Sequence, residues 1–114
     1  MSDTIVRTSK IEIEVALDND NVPEEMVWSA EDGKINREKT TGMFLAMWDK
    51  RSQNTMKIDL WTKEMTVDEM KIFFHQTLVS MSDAFERATN EKAIVEDLRD
   101  YCMHFAEKMN IEKK

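Results

Sequence analysis

Apolar and polar residues alternate from Lys10 to Leu17, with Ile11, Ile13, Val15 and Leu17 set against Lys10, Glu12, Glu14 and Ala16. A period of two is the pattern of a strand with one buried face. The run Asp18-Asn19-Asp20-Asn21 and the following Pro23 read as a turn, because Asp and Asn bond nearby backbone and Pro has a fixed φ and no N–H to donate. A short second strand, Met26-Val27-Trp28, is expected at a sheet edge and ends at Asp32-Gly33, where glycine would supply the positive φ of a tight turn. Residues 34–41 are polar without a strong period and read as a loop with room for a helical turn.

Met43 to Trp48 and Met56 to Trp61 flank the polar segment Asp49-Lys50-Arg51-Ser52-Gln53-Asn54, which predicts a hairpin. Closure symmetric about that turn sets Met43, Leu45 and Met47 opposite Leu60, Ile58 and Met56, facing the helices. Phe44, Ala46, Trp48 and Trp61 then share the other face. Beyond the hairpin, Thr66-Val67-Asp68-Glu69 is a capping box that starts a helix at Val67, with acidic side chains at the positive end of its dipole. Met70, Phe74, Thr77, Leu78, Met81, Phe85 and Ala88 form its apolar stripe and predict an end near Thr89. Asn90 is the expected N-cap of a second helix striped by Ile94, Leu98, Tyr101, Cys102, Phe105 and Met109. Strands first and helices second predict an α+β domain: a four-stranded antiparallel sheet followed by two C-terminal α-helices packed on one face. The expected divisions of a single domain over 1–114 are a flexible lead over 1–9, a sheet over 10–61 and a helical pair over 66–111.

A length of 114 residues fits one domain with a modest core. Its formal net charge of −7 and pI near 4.8 have the wrong sign for neutralising phosphates, so nucleic acid and anionic membranes are not expected partners. The chain has no apolar run long enough to span a bilayer and begins without a basic-then-apolar leader, which predicts a cytoplasmic protein with no membrane insertion. Cys102 is the single cysteine, so no internal disulfide forms and stability must come from packing or association.

The stretch from Lys57-Ile58-Asp59-Leu60-Trp61-Thr62-Lys63-Glu64-Met65 through Thr66-Val67-Asp68-Glu69-Met70, Phe73-Phe74-His75-Gln76-Thr77-Leu78 and Asp83-Ala84-Phe85-Glu86-Arg87-Ala88-Thr89 resembles the gliding motility-associated GldC family. Val22-Pro23-Glu24, Trp28, Ala30-Glu31-Asp32-Gly33 and Trp48-Asp49 extend the resemblance over about residues 10–109. It implies a small cytoplasmic accessory protein of bacteria of the Bacteroidota type, with no enzymatic activity, no cofactor and no catalytic residues. At the level of element order the chain also resembles the export chaperone SecB, which implies an alternative role as a holdase or assembly factor for exported proteins.

His75, His104 and Cys102 are the obvious metal candidates. Cys102 and His104 stand about 200° apart around a helix, and Ile72 and Tyr101 occupy the positions where a Glu-x-x-His metal motif needs glutamate, so no metal site is expected. His75 reads instead as a partly buried group beside the stripe, and Asp100 with His104 as an exposed i, i+4 pair. The chain has no Gly-x-Ser-x-Gly elbow, and Gly33 and Gly42 are too few for a phosphate loop. The stronger candidate is a protein interface formed by Phe44, Ala46, Trp48 and Trp61, which fits a homo-oligomer or a protein partner, with the motility or secretion machinery as the expected source of that partner. The competing reading has a one-residue register shift change which residues of the strand over 43–48 face the helices, or has residues 34–41 or the N-terminal lead cover these aromatics. Most of the ten methionines fit the core. Glu12, Glu14, Glu24, Glu25, Glu31 and Asp32 form either a solvated acidic face or an edge that recruits a basic partner.

Overall fold

A computed structural model describes residues 4–111; the first three residues of the expected lead and the Glu112–Lys114 tail lie outside the described residues. The elements are β1 (Ile11–Leu17), β2 (Pro23–Ala30), β3 (Ile35–Thr40), β4 (Gly42–Asp49), β5 (Asn54–Trp61), α1 (Val67–Thr89) and α2 (Lys92–Lys108). The chain divides after Met65 into a strand unit and a helical unit. The class is α+β with two C-terminal helices, but the expected single four-stranded sheet is replaced by two antiparallel sheets, β1-β2-β3 and β4-β5.

The additional strand is β3, where the sequence suggests a loop. Its residues 36–39 are exposed, so no apolar face announces it. It is held by its ladder to β2 and by ion pairs, Lys39 to Glu25 and Arg37 to Glu14, both at 3.2 Å. Arg37 takes φ 52° where the β2–β3 register skips between Trp28 and Ala30, and its N–H donates to Ser29 Oγ at 3.0 Å. This makes β2 the central strand rather than the short edge strand expected. Pro23 sits at its first position, where a missing N–H interrupts little of the ladder.

The hairpin β4–β5 has the expected register, Met43↔Leu60, Leu45↔Ile58 and Met47↔Met56, without a bulge. Its loop ends on Gln53 at φ 58°, and the β2–β3 loop ends on Lys34 at φ 56°. Gly33 does not take a positive φ: the left-handed position falls one residue later, after the bond from Lys34 N–H to Glu31 O. Thr62 N–H donates to Thr41 O at 2.9 Å, one step beyond Gly42↔Trp61, and Thr62 and Met26 are buried. The three tryptophans stand in β2, β4 and β5.

The helical unit begins as its capping box predicts. Glu69 N–H donates to Thr66 Oγ1 at 3.0 Å and Thr66 N–H to Glu69 Oε1 at 3.1 Å. Asn90 corrects the sequence reading. It adopts φ 59° and donates its N–H to Glu86 O at 2.8 Å, closing α1, while α2 starts from Glu91 with no side-chain cap. A left-handed residue cannot also take the non-helical N-cap conformation, so Asn90 serves one end only. The stripes shift as well. The buried residues are Ser82 on α1 and Val95 and Cys102 on α2, whereas Phe74, Met81, Phe85, Ile94, Leu98 and Tyr101 are exposed.

Candidate protein-interaction face

Antiparallel pairing puts opposed residues on the same face, so Phe44, Ala46, Trp48 and Trp61 share one face of the β4–β5 hairpin with Thr55, Lys57 and Asp59. Trp48 is 63% and Trp61 52% exposed, so neither is covered by residues 34–41 or by the described part of the lead. Phe44 is half-buried and Ala46 exposed. Trp48 stands opposite Thr55 and Trp61 opposite Gly42, at the two ends of the ribbon, a separation of roughly 20 Å along the strand. Between them lie Lys57 and Asp59, whose Nζ and Oδ2 meet at 2.8 Å. Parity alone carries this pair in the sequence: each lies an even number of positions from Trp61.

The opposite face holds Met43, Leu45, Met47, Met56, Ile58 and Leu60, and Met47, Met56 and Ile58 are exposed. A two-stranded ribbon that exposes large apolar side chains on both faces is marginal in water unless something further covers it.

The acidic face expected over residues 10–34 is largely paired within the strand unit. Arg7 forms a two-point pair with Asp32 at 3.0 and 3.2 Å, Glu14 and Glu25 take Arg37 and Lys39, and Lys63 takes Glu24 at 2.6 Å. Lys63 also meets Asp18 Oδ2 at 2.7 Å, while Asp18 Oδ1 accepts from the backbone of Asp20 and Val22. The Lys63 hydrogen bond is the largest cause that brings the Asp18 carboxyl down to about 2, and in return Asp18 and Glu24 raise the Lys63 ammonium above its usual range. Arg7, then Ser9, lowers Asp32. These partners lie far away in sequence, so a local reading sees only the acids.

In the helical unit the Cys102 carbonyl can only accept, so His75 holds its proton on Nε2 and donates across 3.0 Å, with its ring stacked on Phe105 at 5.9 Å. Cys102 is buried, its Sγ 3.9 Å from Ser82 Oγ. His104 lies against Tyr101 at 5.8 Å, and Asp100 and His104 are both exposed, as expected of a solvated helix face. Arg99 bridges the helices to Asp83 and Glu86 at 2.8 and 2.9 Å, and with Lys92 it lowers the Glu86 carboxyl. Among the described residues no group of three His, Cys, Asp or Glu could hold a metal ion, and no helix is long and apolar enough to cross a membrane.

A family model described as Gliding motility-associated protein GldC-like matches residues 23–111. The chain belongs to the GldC-like family. No curated protein and no solved structure matches it. GldC-like membership associates the chain with gliding motility, and the matched segment includes the hairpin with both exposed tryptophans and both helices, while β1 precedes it.

Proposed function

We propose that this GldC-like chain is a non-enzymatic cytoplasmic accessory protein of gliding motility that works by protein–protein contact through the hairpin face carrying Phe44, Ala46, Trp48 and Trp61. The observation that carries this reading is the exposure of two tryptophans on one face of a two-stranded sheet. Tryptophan joins a large apolar area to an N–H donor, and such side chains anchor protein interfaces when a partner desolvates them. The partner is a component of the motility or secretion machinery.

The test replaces the native copy by Trp48→Ala and by Trp61→Ala in a gliding bacterium of the Bacteroidota and measures colony spreading, with circular dichroism and immunoblotting of each variant. Loss of spreading by a folded protein at normal abundance is expected. Normal spreading with both variants overturns the assignment.

A second reading rests on the other face, where Met47, Met56 and Ile58 offer the adaptable apolar surface a SecB-like holdase would use. It requires equimolar protein to suppress aggregation of an unrelated unfolded chain, and an unchanged aggregation rate removes it.

A further inference from the structure

The bond from Thr62 N–H to Thr41 O sets the alternation of the whole β4–β5 ladder. Leu60, Ile58 and Met56 direct their backbone N–H and C=O toward β4, and Thr55, Lys57, Asp59 and Trp61 direct theirs to the outer edge. Among the described residues no strand pairs with that edge. Other edges are blunted in the usual ways. β1 carries Glu12 and Glu14 and a bulge between Ala16 and Leu17, and β3 is charged and broken at Arg37. β5 has an unbroken register, no proline, and exposed residues from Asn54 to Asp59. β4 is half-buried from Gly42 to Leu45 and has no charged residue before Asp49 to set a register.

We infer that β5 pairs antiparallel with β5 of a second copy, about a two-fold axis through Ile58, to make one four-stranded sheet from two hairpins. The sequence of β5 is self-complementary in this register. Lys57 faces Asp59 of the second copy and Asp59 faces its Lys57. Thr55 and Trp61 pair likewise, so every outward backbone group finds a partner, with two bonds exchanged in each pair. On the opposite face Ile58 meets its own copy and Met56 meets Leu60. Moving the register by one step in either direction sets Lys57 against Lys57 or Asp59 against Asp59, and like charges directly opposed disfavour pairing.

The two-fold pairing stands independently of the protein-partner reading, yet it changes the face on which that reading rests. Trp48, Thr55 and Trp61 of the second copy fall in one row across the sheet. Two strand spacings put the tryptophans about 10 Å apart, against roughly 20 Å within one copy. The dimer thus builds two compact aromatic sites, each drawn from both chains.

The experiment is light scattering on the full chain over a concentration series, with Lys57→Asp and Asp59→Lys beside the wild type and circular dichroism on all three. The wild type is expected at twice the 13.4 kDa chain mass. Each single reversal sets like charges at both central pairs and weakens the dimer about tenfold or more. Mixing the two reversed chains in equal amounts restores opposite charges at both pairs and should recover the dimer. A wild type that keeps the single-chain mass up to about 1 mM overturns the inference, because pairing weaker than that would have no role in solution. Single variants that keep the wild-type mass, or a mixture that stays apart, overturn it equally. Lost spreading in Trp48→Ala with the dimer intact leaves the pairing standing, and intact spreading by a monomeric wild type overturns the pairing alone.

Discussion

Lys63 Nζ lies 2.7 Å from Asp18 Oδ2, joining the β1–β2 turn to the segment that leaves β5. One carboxylate therefore serves two purposes: Oδ1 closes its own turn through the N–H groups of Asp20 and Val22, and Oδ2 holds the lysine. The same lysine binds Glu24 at the start of β2.

This arrangement has a pH signature. The Asp18 carboxyl is lowered from 3.8 to about 2 in the folded chain. A lowered carboxyl favours the folded state above its unfolded value and loses that contribution as pH falls toward the folded value. The turn should therefore hold at pH 4 and above and loosen between about 4 and 2. NMR titration of the Asp18 carboxyl should give a midpoint near 2, and Lys63→Gln should move it up toward 3.8. Because both groups are reached by solvent, added salt should move the midpoint in the same direction.

The capping box gives a stability prediction. Thr66→Ala removes the acceptor for Glu69 N–H at the start of α1 and should cost about 1 kcal/mol, read as a lower denaturant midpoint by circular dichroism. Thr66→Asn should retain most of that stability, since asparagine accepts the same bond.

Three hairpin loops carry a left-handed residue that is not glycine: Asn21, Lys34 and Gln53. Lys34→Gly and Gln53→Gly should each raise stability by about 0.5 kcal/mol, the steric relief at positive φ being partly offset by the greater freedom of unfolded glycine. Gly33→Ala should be nearly neutral, since Gly33 has no positive φ and the nearest atom to an added Cβ is Ile35 Cδ1 at 3.6 Å.

Cys102 reports on the helical pair. Its thiol is buried beside Ser82, so a thiol reagent should label the native protein about a hundredfold more slowly than the urea-unfolded chain. Arg99→Ala removes the bridges to Asp83 and Glu86 and should accelerate labelling. An unchanged rate would mean that opening of the helices does not control access to the thiol.

The parts of the structure that were legible in the sequence share a physical cause. The β4–β5 register follows from strict alternation on β5 and a polar turn at its centre, and the start of α1 follows from residues that bond each other three positions apart. β3 was illegible because it is held by its ladder and by charges on Glu14 and Glu25, so periodicity carries no trace of it. Asn90 is ambiguous in principle, since asparagine suits both an N-cap and a left-handed helix end, and the short link between helices settles which. The helical stripes misled because Ser82 and Val95, which lie beside the larger apolar residues, are buried, while of the stripe residues only Cys102 is buried, against Ser82. At the candidate face, parity placed Trp48 with Trp61 correctly, while their distance along the ribbon and the charges between them follow only from counting positions on the paired strands.

All three tryptophans belong to strands, whereas the helices hold the single tyrosine, Tyr101. The chain therefore carries its own pair of optical channels: indole emission reports the sheets alone, and far-ultraviolet ellipticity is dominated by α1 and α2. In a melting experiment the two signals coincide if the strand and helical units unfold as one, and separate if each unit has its own transition.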